Sequence, residues 1–451
     1  MKKILVLAAI MLNVAAVFAQ DVDPESKYIR NSLYMIRLDM PIEDASDQEA
    51  MKSLNAGIDG INWEERYKRY NSVGLSETSF DWTTLPAVSQ DEIDAVKKES
   101  DVEKTIRETV SQLLEEQGIK SSSITEGEYG ARLLKYFKEK KFGNQLVAKW
   151  FVAQGASTEN VTAWDDQQYM INTYGYKGLS TEALEEAKKA ENIIDAASSV
   201  EAIDKLLNNT YICVNRFGYM SAQEVIANVT APMQIALVKL PAIAQAAAQK
   251  GIDKVIEKTK GYFICCNSYL FKLKWNGTND FYTTYWNNPT EFMSKANFEM
   301  EYVGHTSKRI SCVTLKSDAD QNLLMAAAAL KGSDKCIAAL QKEYESFRPM
   351  SSLHVVDGKL AAYVGTKEGV TAKSQFDVFS PVEGKSGVVE WEKVGSVKVD
   401  SKSGVWDNAE KVEGEGEDED AAEGNAELTC TFFKEKPNKK MGEGCMIKLV
   451  K

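Results

Sequence analysis

Tyr262-Phe-Ile-Cys-Cys-Asn-Ser-Tyr-Leu-Phe-Lys-Leu-Lys-Trp275 follows Gly261 and alternates like a β-strand along its whole length. Successive side chains in a strand point to opposite faces. Phe263, Cys265, Asn267, Tyr269, Phe271, Leu273 and Trp275 therefore share one face, and Tyr262, Ile264, Cys266, Ser268, Leu270, Lys272 and Lys274 share the other. Both faces are largely apolar at the start, while lysines enter one of them late. This pattern predicts a strand central to a sheet, open on one side at its far end.

Working outward, Tyr211-Ile-Cys-Val-Asn215 is a second strand, and 221–260 reads as helix bent or split at Pro232 and Pro241. Such a strand–helix–strand unit has the length of a crossover connection or of a helix covering an antiparallel sheet. Tyr28–Leu38 reads as a further strand ended by Met40-Pro41. The aromatic stretch 55–86 reads as an ordered loop over a core. Helical periodicity begins at Asp91, resumes at Thr125 with a capping box to Glu128, and recurs over 181–207. Phe298–Val303 and Arg309–Leu315 suggest a hairpin turning at Gly304-His305. A long amphipathic helix follows from Leu323 to Phe347, with a break expected at Gly332-Ser333.

Beyond Pro349 the helical signal stops. Leu360–Val364, Gln375–Phe379, Val388–Trp391, Ser396–Val399, Gly404–Trp406, Leu428–Phe433 and Cys445–Val450 are short strand candidates separated by turn residues. The expected fold is α+β: a helix-and-sheet domain over 20–348, helix-rich over 90–260 with sheet and helices over 261–348, then a small all-β, barrel-like module over 349–451. An acidic run at 413–423 reads as a solvated loop of that module.

Residues 1–19 have the positive end, apolar run and compact closing residues of a signal peptide, with Lys2, Lys3 and the Val17-Phe-Ala19 ending. Export to the periplasm or cell surface follows, with no transmembrane span in the mature chain. The 451 residues carry 54 basic and 66 acidic side chains, a net charge of −12 that argues against nucleic acid as a partner. Hydrophobic residues at 44% exclude a wholly disordered chain.

Two histidines in the chain exclude catalysis or metal binding built on several of them, and no nucleophile elbow or zincin motif occurs. No cofactor and no metal site is expected. Gly384-Lys385-Ser386 lacks the upstream glycine of a phosphate loop. His305 and Cys312 sit on the expected hairpin, where a dyad competes with two structural residues. Seven cysteines without Cys-x-x-Cys spacing weigh against a zinc ribbon. Cys265, on the strand, is expected in the core beside Phe263 and Tyr269, and Cys430 with Cys445 is the candidate disulfide, on two late strands around a turn.

Trp275, Phe281, Tyr282, Tyr285 and Trp286 form the candidate binding patch, because aromatics mixed with amides and hydroxyls suit sugar stacking or gripping a partner. The same spacing also suits a helix face that closes a core, which is the commoner use. Replacing Trp275, Tyr285 and Trp286 by alanine is expected to weaken capture without unfolding the chain.

Leu206-Leu-Asn-Asn-Thr-Tyr-Ile212, Gly261–Ile264, Ser268–Trp275, Phe281–Trp286, Asn31–Ile36 and Tyr344–Arg348 together make the chain similar to uncharacterised exported proteins of Bacteroides-type bacteria. That likeness implies a compartment and an architecture. Gly365–Val370, Phe376-Asp-Val-Phe379 and Val394–Val399 resemble the small β-barrel of flagellar-assembly and related envelope proteins, which implies a module that holds partners or packs in assemblies. The function expected is that of a non-catalytic binding or scaffold protein of the cell envelope, with an envelope protein or a glycan as partner. The alternatives are a hydrolase of unfamiliar type using a carboxylate pair, or a dedicated glycan-binding protein.

Overall fold

The computed structural model describes residues 28–29, 32–40, 79–96, 126–153, 155–165, 207–221, 260–314, 320–383, 389–408, 424–425 and 427–450, with a few positions at 51–59, 204 and 249–253. The signal-like segment 1–19, the acidic run 413–423, the Gly384-Lys385-Ser386 turn, Thr125 and most of the helical stretches read at 97–125, 181–207 and 221–260 lie outside the described residues.

The fold is α+β. Its larger sheet has the order β3-β2-β4-β5-β6, built from β2 (Ser32–Asp39), β3 (Ser79–Asp81), β4 (Thr210–Ser221), β5 (Lys260–Leu273) and β6 (Met300–Thr314). β2 runs parallel to β3 and β4, whereas β4, β5 and β6 are successively antiparallel. The two readings of the 211–275 unit are thus resolved in favour of the antiparallel arrangement.

Alternation on β5 places its faces as the sequence indicates. Tyr269, Phe271 and Leu273 join Tyr34, Ile36, Ile212 and Val214 in a core covered by α1 (Gln90–Val96), α2 (Glu126–Glu139), α3 (Phe142–Phe151), α4 (Thr278–Tyr285) and α5 (Pro289–Lys295). Two smaller clusters on the other face, with Tyr262, Ile264 and Cys266 in one and Cys213 and Leu270 in the other, meet α6 (Gln321–Glu343). The open end is the reverse of the expected one. Phe263 is 37% exposed at the start of β5, while Leu273 near its end is 1% exposed. The helices crowd the late half of the strand, and Cys265 is half-buried rather than in the core.

β6 is one continuous strand, so the expected hairpin at Gly304-His305 is corrected. A register shift opposite Leu270 and Phe271 absorbs Val303 as a bulge beside Gly304. Gly304 is needed for close approach instead of a turn, since a Cβ there would lie 1.9 Å from the Tyr344 hydroxyl oxygen. α6 likewise continues through Gly332-Ser333, because Gly332 lets the helix lie on Cys266. The second helix read from Thr125 divides instead at Lys141, which is left-handed at φ 52° and donates from Nζ to the Met293 and Ser294 carbonyls.

The Tyr28–Leu38 strand also divides. β1 (Tyr28–Ile29) leaves the larger sheet and pairs with β7 (Met350–Ser352) of the C-terminal module. That module is barrel-like. Around it run β7, β15 (Met446–Leu449), β10 (Gln375–Glu383) and β11 (Val389–Lys398), each antiparallel to the next. A Val399–Phe433 bridge carries the ring to β14 (Thr431–Phe432), then to β9 (Lys359–Ala362) and β8 (His354–Val356). β8 continues from β7 through Leu353, whose N–H donates to the Cys445 carbonyl and so closes the ring. Val388–Trp391 and Ser396–Val399, read as two strands, form most of the single β11 and its exit, and β12 (Val405–Trp406) pairs in parallel with β13 (Gly424–Asn425) before β14. Closure removes the sheet edges that a separate small module would otherwise expose.

Tyr211, on β4 under Phe347, is wholly buried and donates its hydroxyl hydrogen to the Ser346 carbonyl at 2.7 Å. Burial pushes this hydroxyl up to about 12, against a lowering contribution from the Ser346 side chain, and the nearby Glu301 charge adds to the rise. A folded pKa above the unfolded one means that stability is intact below about pH 10 and falls as pH rises towards 12. Tyr211→Phe is therefore expected to lose roughly 1 kcal/mol at pH 8 but to narrow the further loss on going to pH 11. Urea unfolding of both proteins at the two pH values checks this, and equal alkaline losses would contradict it.

Candidate functional site

The aromatic segment leaves β5 and turns at Gly277, whose φ of 112° suits glycine. α4 then lays one face on α3. Phe281 is 0% exposed and stacks on Phe151 at 4.3 Å with an interplanar angle of 22°. It belongs to the interior, so its place in the binding patch is corrected: the turn at Gly277 directs it inward, between Phe151, Trp164 and Phe292.

Trp275, Tyr282, Tyr285 and Trp286 are half-buried against the same core. Trp275 stacks on Phe298 at 5.4 Å and donates from Nε1 to Asp204 Oδ1 at 2.7 Å. Trp286 lies nearly parallel to Trp164, 10° between planes, and the Trp164 Nε1–H holds the Tyr285 carbonyl at 3.1 Å. Tyr282 and Trp286 touch each other at 4.8 Å between ring centroids. Exposed Thr283, Thr284, Asn287 and Asn288 surround this rim. The ring edges are fixed from below and wet from above, an arrangement that loses little side-chain entropy on binding.

The other candidates separate. His305 and Cys312 occupy one extended strand seven residues apart, roughly 24 Å at about 3.4 Å per residue. They make no dyad. His305 Nδ1 instead meets the Tyr302 hydroxyl at 2.9 Å. His354 stands 3.5 Å from Glu443 at the β7–β8 corner of the barrel. Cys430 and Cys445 are buried and, like Cys213, Cys265, Cys266 and Cys336, stand unlinked in this structure, so the candidate disulfide is not formed here. Cys430 precedes β14 and Cys445 precedes β15, on different sheets of the module, and the Cys445 Sγ–H is given to the Lys440 carbonyl at 3.4 Å.

Three arrangements escape sequence reading. Arg37 on β2 lies between Asp39, at 2.6 Å from its Nε, and Asp59. Burial works against its charge, but hydrogen bonds and charges of the two carboxylates outweigh it and raise its pKa. Both carboxylates are thus spent on one guanidinium, a poor starting point for general acid–base hydrolysis. Asn144 on α3 bonds the Ala296 carbonyl at 2.7 Å and accepts from the Phe298 N–H at 2.8 Å. Between β4, β5 and α6, Asn215 accepts from Ser268 at 2.5 Å, and Cys213, Cys266, Ser333 and Cys336 lie around that pair. Only the adjacent Cys265-Cys266 signals this cluster in the sequence. Its partners come from segments 53 to 70 residues away.

Among the described residues no group of three or more His, Cys, Asp or Glu side chains is placed to hold a metal ion. No helix among them is long and apolar enough to cross a membrane. No protein-family model matches the chain, and no curated protein matches it.

Proposed function

We propose that the chain is a non-catalytic, exported binding or scaffold component of the cell envelope, and that Tyr282, Tyr285 and Trp286 form its contact surface for an envelope protein or a glycan. One observation carries this reading: three rings held rigidly from beneath keep their outer parts in solvent, amid threonines and asparagines. Tyrosine and tryptophan so placed supply apolar area and a polar tip together. The signal-like residues 1–19 support export. The closed barrel agrees with the resemblance to envelope-assembly modules, and the likeness to exported Bacteroides-type proteins points to the same compartment.

Crosslinking in the native envelope, followed by capture of the tagged protein, identifies a protein partner. Quenching of tryptophan fluorescence by cell-wall and capsule glycans tests the other source. Tyr282→Ala, which removes a half-exposed ring, is expected to weaken whichever capture is found by roughly tenfold or more. A folded Tyr282→Ala protein that binds like the wild type would remove the rim from the contact surface.

A further inference from the structure

Cys266 on β5 and Cys336 on α6 are both 0% exposed and face each other across the joint between sheet and helix. The Cys336 sulfur lies 3.4 Å from the Cys266 carbonyl oxygen, and the two thiols are close enough for each to shift the other's titration. One turn earlier on α6, Gly332 has no side chain, and a Cβ built there would come within 3.0 Å of the Cys266 Cβ. The missing side chain therefore lets the helix ride close to β5 here, where a Cβ would press on Cys266. Cys213, on β4, is also wholly buried nearby but bonds to Asn215 at 3.6 Å.

We propose that Cys266 and Cys336 are a disulfide-forming pair that staples α6 to the central strand when the chain folds in the presence of a disulfide oxidant, either a small-molecule disulfide or a thiol–disulfide oxidoreductase. Before the joint closes, the thiolate of either cysteine, Cys336 for instance, attacks one sulfur of the oxidant disulfide and expels its other sulfur as a thiolate. The Cys266 thiolate then attacks the Cys336 sulfur of the mixed disulfide and releases the second thiolate. One disulfide forms, one is reduced to two thiols, and the protons of the two cysteines end on the departing sulfurs. Burial opposes the Cys336 thiolate, yet hydrogen bonds from Cys266 and Ser268 and the charge of Lys308 lower its pKa; burial pushes the Cys266 thiol up. Those shifts belong to the closed joint, where both thiols are buried, so the first attack is made before α6 packs on β5. The link closes a loop between residues 70 apart in sequence, long enough to restrict the unfolded chain strongly.

The test refolds the full chain in oxidised and reduced glutathione, blocks remaining thiols, and maps peptides without reduction. Fragmentation between Cys265 and Cys266 assigns the linked sulfur. The expected result is a Cys266–Cys336 linked peptide, kept in Cys265→Ser and in Cys213→Ser and lost in Cys336→Ser. The oxidised wild type should melt roughly 5 °C above the same protein in dithiothreitol, and Cys336→Ser should show no such difference. A wild-type map with both thiols free, or with either joined to Cys213 or Cys265, overturns the proposal. That map needs no variant to fold.

Discussion

Gly143→Ala is expected to unfold the larger domain or cost it at least about 3–5 kcal/mol. Inside a helix the substitution ordinarily stabilises by about 1 kcal/mol, because glycine loses more backbone freedom. Here the sign reverses. A Cβ on Gly143 would lie 1.9 Å from the Phe298 carbonyl oxygen and 2.5 Å from its carbon. Both are backbone atoms and cannot rotate away. Nor is that backbone free to retreat, because the next residue, Asn144, holds Ala296 and Phe298 by two buried hydrogen bonds. Phe298 leads directly into β6, so any retreat moves the strand. Asn144→Ala should cost roughly 2–5 kcal/mol by leaving the Ala296 carbonyl and the Phe298 N–H buried and unpaired. Denaturant unfolding followed by far-ultraviolet circular dichroism measures both. A Gly143→Ala protein as stable as the wild type would mean that α3 does not sit on residues 296–298.

Phe281 and Tyr282 are neighbours in sequence with opposite expected behaviour. Phe281→Ala should cost about 3–5 kcal/mol, since it empties a site enclosed by Phe151, Trp164 and Phe292. Tyr282→Ala keeps the interior filled and should cost about 1–2 kcal/mol, a value typical of a half-exposed ring. Equal losses at the two positions would sink the division between interior and rim. The triple replacement of Trp275, Tyr285 and Trp286 is no longer expected to leave the fold intact. It removes the Trp275 bond to Asp204, the stack on Phe298 and the stack of Trp286 on Trp164. Loss of binding in that protein would report unfolding as readily as a lost contact.

Residues that behave locally were legible. The faces of β5 followed from alternation alone, and the amphipathic run of α6 from its helical period. Short strands after Pro349 announced themselves through β-branched residues between turns. Glycines misled where they serve packing: Gly304 resembles a hairpin turn and Gly332 a helix break, and each is a point of close approach to another element. The candidate site was legible as a segment, but its division was not. Which of five aromatics faces inward depends on the angle at Gly277 and on α3 and Trp164, far back in the chain.

By itself, the sequence determined what short-range periodicity controls: mixed α and β content, a β-rich C-terminal part, and the two-faced character of the central strand. Tertiary structure alone decided that β1 closes onto the C-terminal module, that His305 and Cys312 lie along one strand, and that Cys266 meets Cys336. The physical reason is range. Periods of 2 and 3.6 residues are set by neighbouring backbone sterics, whereas contacts such as Asn144 with Phe298, 154 residues apart, exist only once distant segments have packed and excluded water between them.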